Sequence, residues 1–144
     1  MTTPTGPVRD ALSRHAAELA DNRVFCHPDI PPQRLAEALA GYPSARADEV
    51  LVLLDNTDTG SADEGALLLA DALLVRDGGA PVRRFALPEL ATVAVDPGPP
   101  RTLEIGGVPV LRHLRPNPTT LERFAALLRE VAADAAKPAA EPAA

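Results

Sequence analysis

The stretch Asp48–Asp77, DEVLVLLDNTDTGSADEGALLLADALLVRD, decides the fold of this 144-residue chain. Val50–Leu54 is an aliphatic run too short for a helix between its flanking signals, and it ends in the polar loop LLDNTDTGSADEG (53–65). Two further apolar segments follow, Gly65–Ala70 and Leu73–Arg76, with a tight turn near Asp71 between them. Short apolar runs punctuated by Asp, Asn and Gly read as strands joined by turns. Inside the loop, Asp55 and Thr57 are expected to hydrogen-bond the turn backbone. Gly60 and Gly65 supply dihedrals that other residues avoid, and Ser61 belongs to the same structural loop.

Working outward, the same punctuation continues. Gly78-Gly79 breaks the chain, Val82–Leu87 resumes it, and Ala91–Val95 alternates. DPGPP (96–100) is a loop, Arg101–Ile105 alternates again, and Gly106-Gly107 is a two-residue hairpin turn before Val108–Leu114. About seven strands at this spacing indicate an antiparallel barrel or sandwich rather than a βαβ sheet. Helices flank them. Val8, Leu12, Ala16 and Leu19 form one helical face behind Pro7. A second helix starts at Pro31-Pro32, with Asp29 as its expected cap and Leu35, Ala38, Leu39 and Tyr42 as its buried stripe. A third runs from about Thr119 to Ala133, where Thr119 and Glu122 have capping-box spacing and Leu121, Phe124, Leu128 and Val131 share a face.

The expected fold is therefore α+β and mainly β: a seven-stranded antiparallel sandwich or barrel with two N-terminal helices and a C-terminal capping helix. Residues 1–6 read as a flexible start, 7–43 as a helical segment and 48–134 as the β domain with its helix. Residues 135–144 read as a disordered Ala/Pro tail, poor in large apolar side chains. The hairpin resembles the signature of small bacterial domains with a pleckstrin-homology-like barrel. There, an aliphatic strand ends in an Asp (Asp55), a Thr follows (Thr57), then Gly-Ser (Gly60-Ser61), then a charged residue and Gly (Glu64-Gly65) before the next strand. The segment PDIPPQRLAEALAGY (28–42) is similar to the proline-capped helix such proteins place ahead of the first strand. The resemblance covers most of residues 28–134 and implies a fold rather than an activity.

Composition narrows the function. Aromatics make up 3% of the chain and Trp is missing, which leaves little for stacking on single-stranded nucleic acid or sugars. A formal charge of −6 argues against a general nucleic-acid binder. One cysteine excludes an intramolecular disulfide. No window holds the roughly 18 apolar residues of a membrane span. The N-terminal stretch lacks a signal-like apolar core, so a cytoplasmic location is expected. Charge is uneven: residues 76–115 hold six Arg against four acidic residues, whereas residues 1–75 hold five against twelve. Arg76, Arg83 and Arg84 are the candidates for binding an anionic ligand or headgroup.

Catalytic and metal motifs fail on spacing. Asp55-Asn56-Thr57 matches the second half of the haloacid-dehalogenase-like signature, but Leu53 stands where the nucleophilic carboxylate belongs. An EF-hand register starting at Asp55 puts Ala66 at the bidentate position. Cys26 and His27 are strand neighbours and point to opposite faces. No catalytic residue, metal site or cofactor is assigned. The expected function is a non-catalytic interaction or adaptor module whose open sheet edge, or the groove beside its last helix, receives a protein partner or another copy.

Overall fold

The computed structural model describes residues 7–19, 23–27, 29–57, 64–78, 80–96, 98 and 100–136. Its elements are α1 (Pro7–Leu19), β1 (Val24–Cys26), α2 (Pro32–Leu39), β2 (Val50–Asp55), β3 (Gly65–Leu69) and β4 (Ala72–Arg76). After them come β5 (Arg83–Ala86), β6 (Ala94–Asp96), β7 (Thr102–Ile105), β8 (Val108–Arg112) and α3 (Pro118–Ala136). Two antiparallel sheets result, one ordered β1-β2-β3-β4-β5 and the other β6-β7-β8. Among the described residues the strands number eight rather than seven, because Val24–Cys26, ahead of α2, adds β1 to the edge of the larger sheet. Among the described residues they form two sheets and no closed barrel.

The larger sheet is covered on both faces, which is why its central strands read as unbroken aliphatic runs. Leu54, Ala66, Leu68, Leu73 and Val75 face a main core shared with α1, α3 and the smaller sheet. Leu53, Leu67, Leu69 and Leu74 face a second core beneath α2, where Ala38 and the fully buried Tyr42 sit. Strand alternation would send Leu51 to the α2 side. A bulge between Val50 and Val52 instead lets Leu51 and Val52 both enter the main core.

Three local expectations are corrected. Asp29 does not cap α2: the cap position is Pro31, without a side-chain bond, and the Leu35 N–H donates to the Pro31 carbonyl at 2.9 Å. The cap of α3 is Asn117, whose Oδ1 accepts from the Thr119 N–H at 2.8 Å. This places Pro118 at the first helical position, where a missing N–H is harmless, and moves Thr119 inside the helix. The segment Leu87–Thr92 is a 3-10 helix, so the strand expected over Ala91–Val95 begins only at Ala94. Its buried residues Leu87 and Leu90, with Val93 just past its end, recur every third position, the repeat of a 3-10 helix. The flexible start (1–6) and most of the expected tail lie outside the described residues, while α3 runs on to Ala136.

Helix α3 gives Leu121, Phe124, Leu127, Leu128 and Val131 to the main core and lies against α1 and the Leu87–Thr92 segment. Polar bonds hold its rim: Arg129 Nη1 donates to the Val93 carbonyl at 2.8 Å, and Arg123 pairs with Glu18 of α1 at 3.2 Å. One turn earlier on α1, Glu130 accepts from Arg14 and bonds His15 Nε2 at 3.0 Å.

Gly65 opens β3 with φ of +133°, and a Cβ there would lie 2.1 Å from the Leu54 carbonyl oxygen. Both strain and collision oppose any side chain. Gly65→Ala is expected to cost about 3 kcal/mol or more in chemical denaturation. An unchanged midpoint would mean that β3 can leave β2 here without loss.

Candidate functional site: a polar knot at the end of the central strands

Alternation along β2 points Asp55 to the α2 side of the sheet, where it is fully buried. A buried carboxylate needs partners on both oxygens. Oδ2 accepts from Arg34 Nη1 of α2 at 2.7 Å. Oδ1 accepts from the Thr57 backbone N–H at 2.8 Å and from its hydroxyl at 2.6 Å. The Arg34 guanidinium also lies over the Phe25 ring, 5.2 Å from its centre. Arg23, just before β1, accepts from the Asp55 N–H with its carbonyl and donates its guanidinium to the Thr57 carbonyl at 2.7 Å.

The next residue performs a different task. Asn56 Nδ2 donates to the Arg112 carbonyl at 3.1 Å, and its Oδ1 accepts from the Arg115 N–H at 2.8 Å. On the same strand end, the Arg112 N–H donates to Asp77 Oδ1 at 3.3 Å. Side chains from the larger sheet thus satisfy the outer backbone groups at the end of β8, and they join the two sheets without a ladder. Between these anchors His113 adopts φ of +53°, an unusual conformation for a residue with a side chain.

Of the loop residues singled out from sequence, Asp55, Thr57 and Gly65 meet here, whereas Gly60 and Ser61 lie outside the described residues. Arg34, Arg23, Asn56 and Asp77 were not anticipated. Only the bare requirement that a strand-end Asp find a cation could have pointed to Arg34. Chemically the knot is a brace. The donors around Asp55 occupy both of its oxygens, and its carboxylate has no exposed area for a substrate. The open depression beside it, lined by Pro31, Gln33, Arg34 and Glu37, holds about 250 Å³. That is below the about 300–1,000 Å³ typical of ligand pockets.

Arg76, Arg83 and Arg84 do not converge. Arg83 pairs with Val75 and shares the main-core face with Phe85, whose ring centre is 5.3 Å from its guanidinium carbon. Arg84 pairs with Leu74 and lies on the α2 face, where it meets Asp71 at 3.2 Å. Arg76 follows Val75 and so points to the α2 face as well. Cys26 and His27 also part company: Cys26 is buried in the main core, and His27 is exposed. Among the described residues no three His, Cys, Asp or Glu side chains group as a metal site. None of their helices is long and apolar enough to cross a membrane.

Neither a protein-family model, a curated protein nor a solved structure matches this chain.

Three outcomes follow from these surroundings. Asp55→Ala removes the acceptor shared by Arg34 and by the buried Thr57 N–H and hydroxyl, and is expected to cost about 2–3 kcal/mol. Arg34→Met on top of it should recover part of that loss, a coupling read from a double-mutant denaturation cycle. Burial, reinforced by the charge of Asp29, raises the Cys26 thiol to about 11. At pH 8 roughly a thousandth of it is thiolate, so Ellman's reagent should label Cys26 only as fast as the protein opens. The raised value also sets a sign: the unfolded thiol deprotonates first, so stability should fall as pH rises from about 9 to about 11.

Proposed function

We propose that this chain is a non-catalytic protein-interaction module, cytoplasmic and bacterial, of the pleckstrin-homology-like type. Two antiparallel sheets sharing one core with a C-terminal helix support that fold reading, with β2–β8 as its seven strands and β1 as an addition. The interaction reading rests on one observation, the unpaired outer side of β5. The Ala86 N–H donates to Glu89 Oε2 at 3.1 Å and so points away from β4. Alternate residues of an antiparallel strand share direction, so the Arg84 N–H and carbonyl point outward too. Among the described residues no strand receives them. An extended segment of a partner, or of a second copy, can add there as a sixth strand.

Arg84→Pro tests this, because it deletes the outward N–H while leaving the bonds to β4 intact. Light scattering across a concentration series would reveal pairing of copies, and fluorescence anisotropy with extended hexapeptides would reveal pairing with a partner. Binding or association that is lost in Arg84→Pro, with the circular dichroism spectrum retained, is the expected result. No association and no peptide binding in the parent protein would overturn the reading.

The alternative is an anionic-ligand site made by Arg76, Arg83 and Arg84. A single ligand would have to reach both faces of the sheet to touch all three, so the strand edge is favoured.

A further inference from the structure

The β5 edge carries a charge pattern that selects among its occupants. From Val82 to Phe85 it reads apolar, basic, basic, apolar. Val82 packs against the α2-side core and Phe85 against the main core, so the two apolar residues anchor the strand on opposite faces. Between them, Arg83 and Arg84 are exposed, one on each face. Arg83 is steadied over the Phe85 ring. Arg84 meets Asp71 in a pair whose two side chains are 56% and 75% exposed, so an incoming carboxylate can replace Asp71 with little desolvation.

We infer that the occupant of this edge is an acidic extended segment of another protein, with the pattern apolar–acidic–acidic–apolar, rather than a second copy of this chain. This deepens the interaction reading above and rests on it. Residues directly opposite in neighbouring strands share a face, with Cβ atoms about 4.5–5.5 Å apart. Acidic residues opposite Arg83 and Arg84 therefore each meet a guanidinium, and apolar residues opposite Val82 and Phe85 extend the two cores. The four-residue pattern is symmetric, so it fits in either strand direction.

A second copy fits badly for the same reason. Outward backbone groups belong to Arg84 and its alternate neighbours, so an antiparallel pair of β5 strands must join even-numbered positions. The register centred on Arg84 sets Arg84 against the other copy's Arg84. The register one step earlier sets Arg83 against its own counterpart, and the register one step later, Phe85 against Phe85, needs the Ala86 N–H that Glu89 already holds. Like charges directly opposite are destabilising, and basic side chains on an edge are a known guard against self-pairing.

The test uses the full chain and three labelled hexapeptides, TVEEVT, TVTTVT and TVKKVT, read by fluorescence anisotropy at low and high salt. The expected order is TVEEVT tightest, at least tenfold over TVTTVT at low salt, with the gap narrowing as salt rises. The double variant Arg83→Glu, Arg84→Glu should reverse the preference toward TVKKVT. Light scattering should show a monomer. If all three peptides bind equally and Arg84→Pro abolishes them all, the acidic preference is overturned while the edge reading stands. A dimer disrupted by Arg84→Pro does the same. If no peptide binds and the protein stays monomeric, both fall.

Discussion

Most of this architecture leans on one buried charge. The Asp55 carboxylate lies at the end of the central strand with no exposed area, held by Arg34 from α2 and by Thr57 from the following loop. Removing one member of such a group leaves another without compensation, which makes the set cooperative. The bond to Arg34 fixes where α2 crosses the sheet, and the bonds to Thr57 fix how the chain leaves β2. Arg34 in turn covers Phe25. Three separate elements are thereby referenced to a single residue.

That registration lets a small protein bury both faces of a five-stranded sheet. Helix α1 and α3 cover one face and α2 the other, so leucines at successive positions of β2, β3 and β4 are all interior. The arrangement leaves polar work to the strand ends. Gly65 stands directly across from Asp55 and gives β3 room to start against β2. β5 is the exception among the longer strands of that sheet, since three of its four residues are exposed. It is where the sheet meets its surroundings.

Much of this was legible in the sequence. The hairpin punctuation set the strands, and the helical stripes of Leu12, Leu19, Phe124 and Leu128 set α1 and α3, because those signals are local. What escaped was either of unusual period or non-local. Leu87, Leu90 and Val93 repeat every three residues, a pattern that looks like neither an alternating strand nor an α-helical face. Asn117 caps α3 one residue ahead of a proline, and a capping-box pattern at Thr119 and Glu122 competed with it. At the site, the turn chemistry of Asp55, Thr57 and Gly65 is legible locally, but the bonds from Asp55 to Arg34 and from Asn56 to Arg112 span 21 and 56 residues. Sequence spacing carries no information about such partners.

The side-chain seam between the sheets has a consequence for how the domain can vary. Along a continuous barrel ladder, each strand fixes the register of the next, so a length change anywhere propagates around the circuit. Here Asn56 and Asp77 grip the end of β8, and apolar side chains of both sheets share the main core. The register within one sheet is therefore not passed to the other through backbone hydrogen bonds among the described residues. The molecule is, in effect, two panels riveted at a corner.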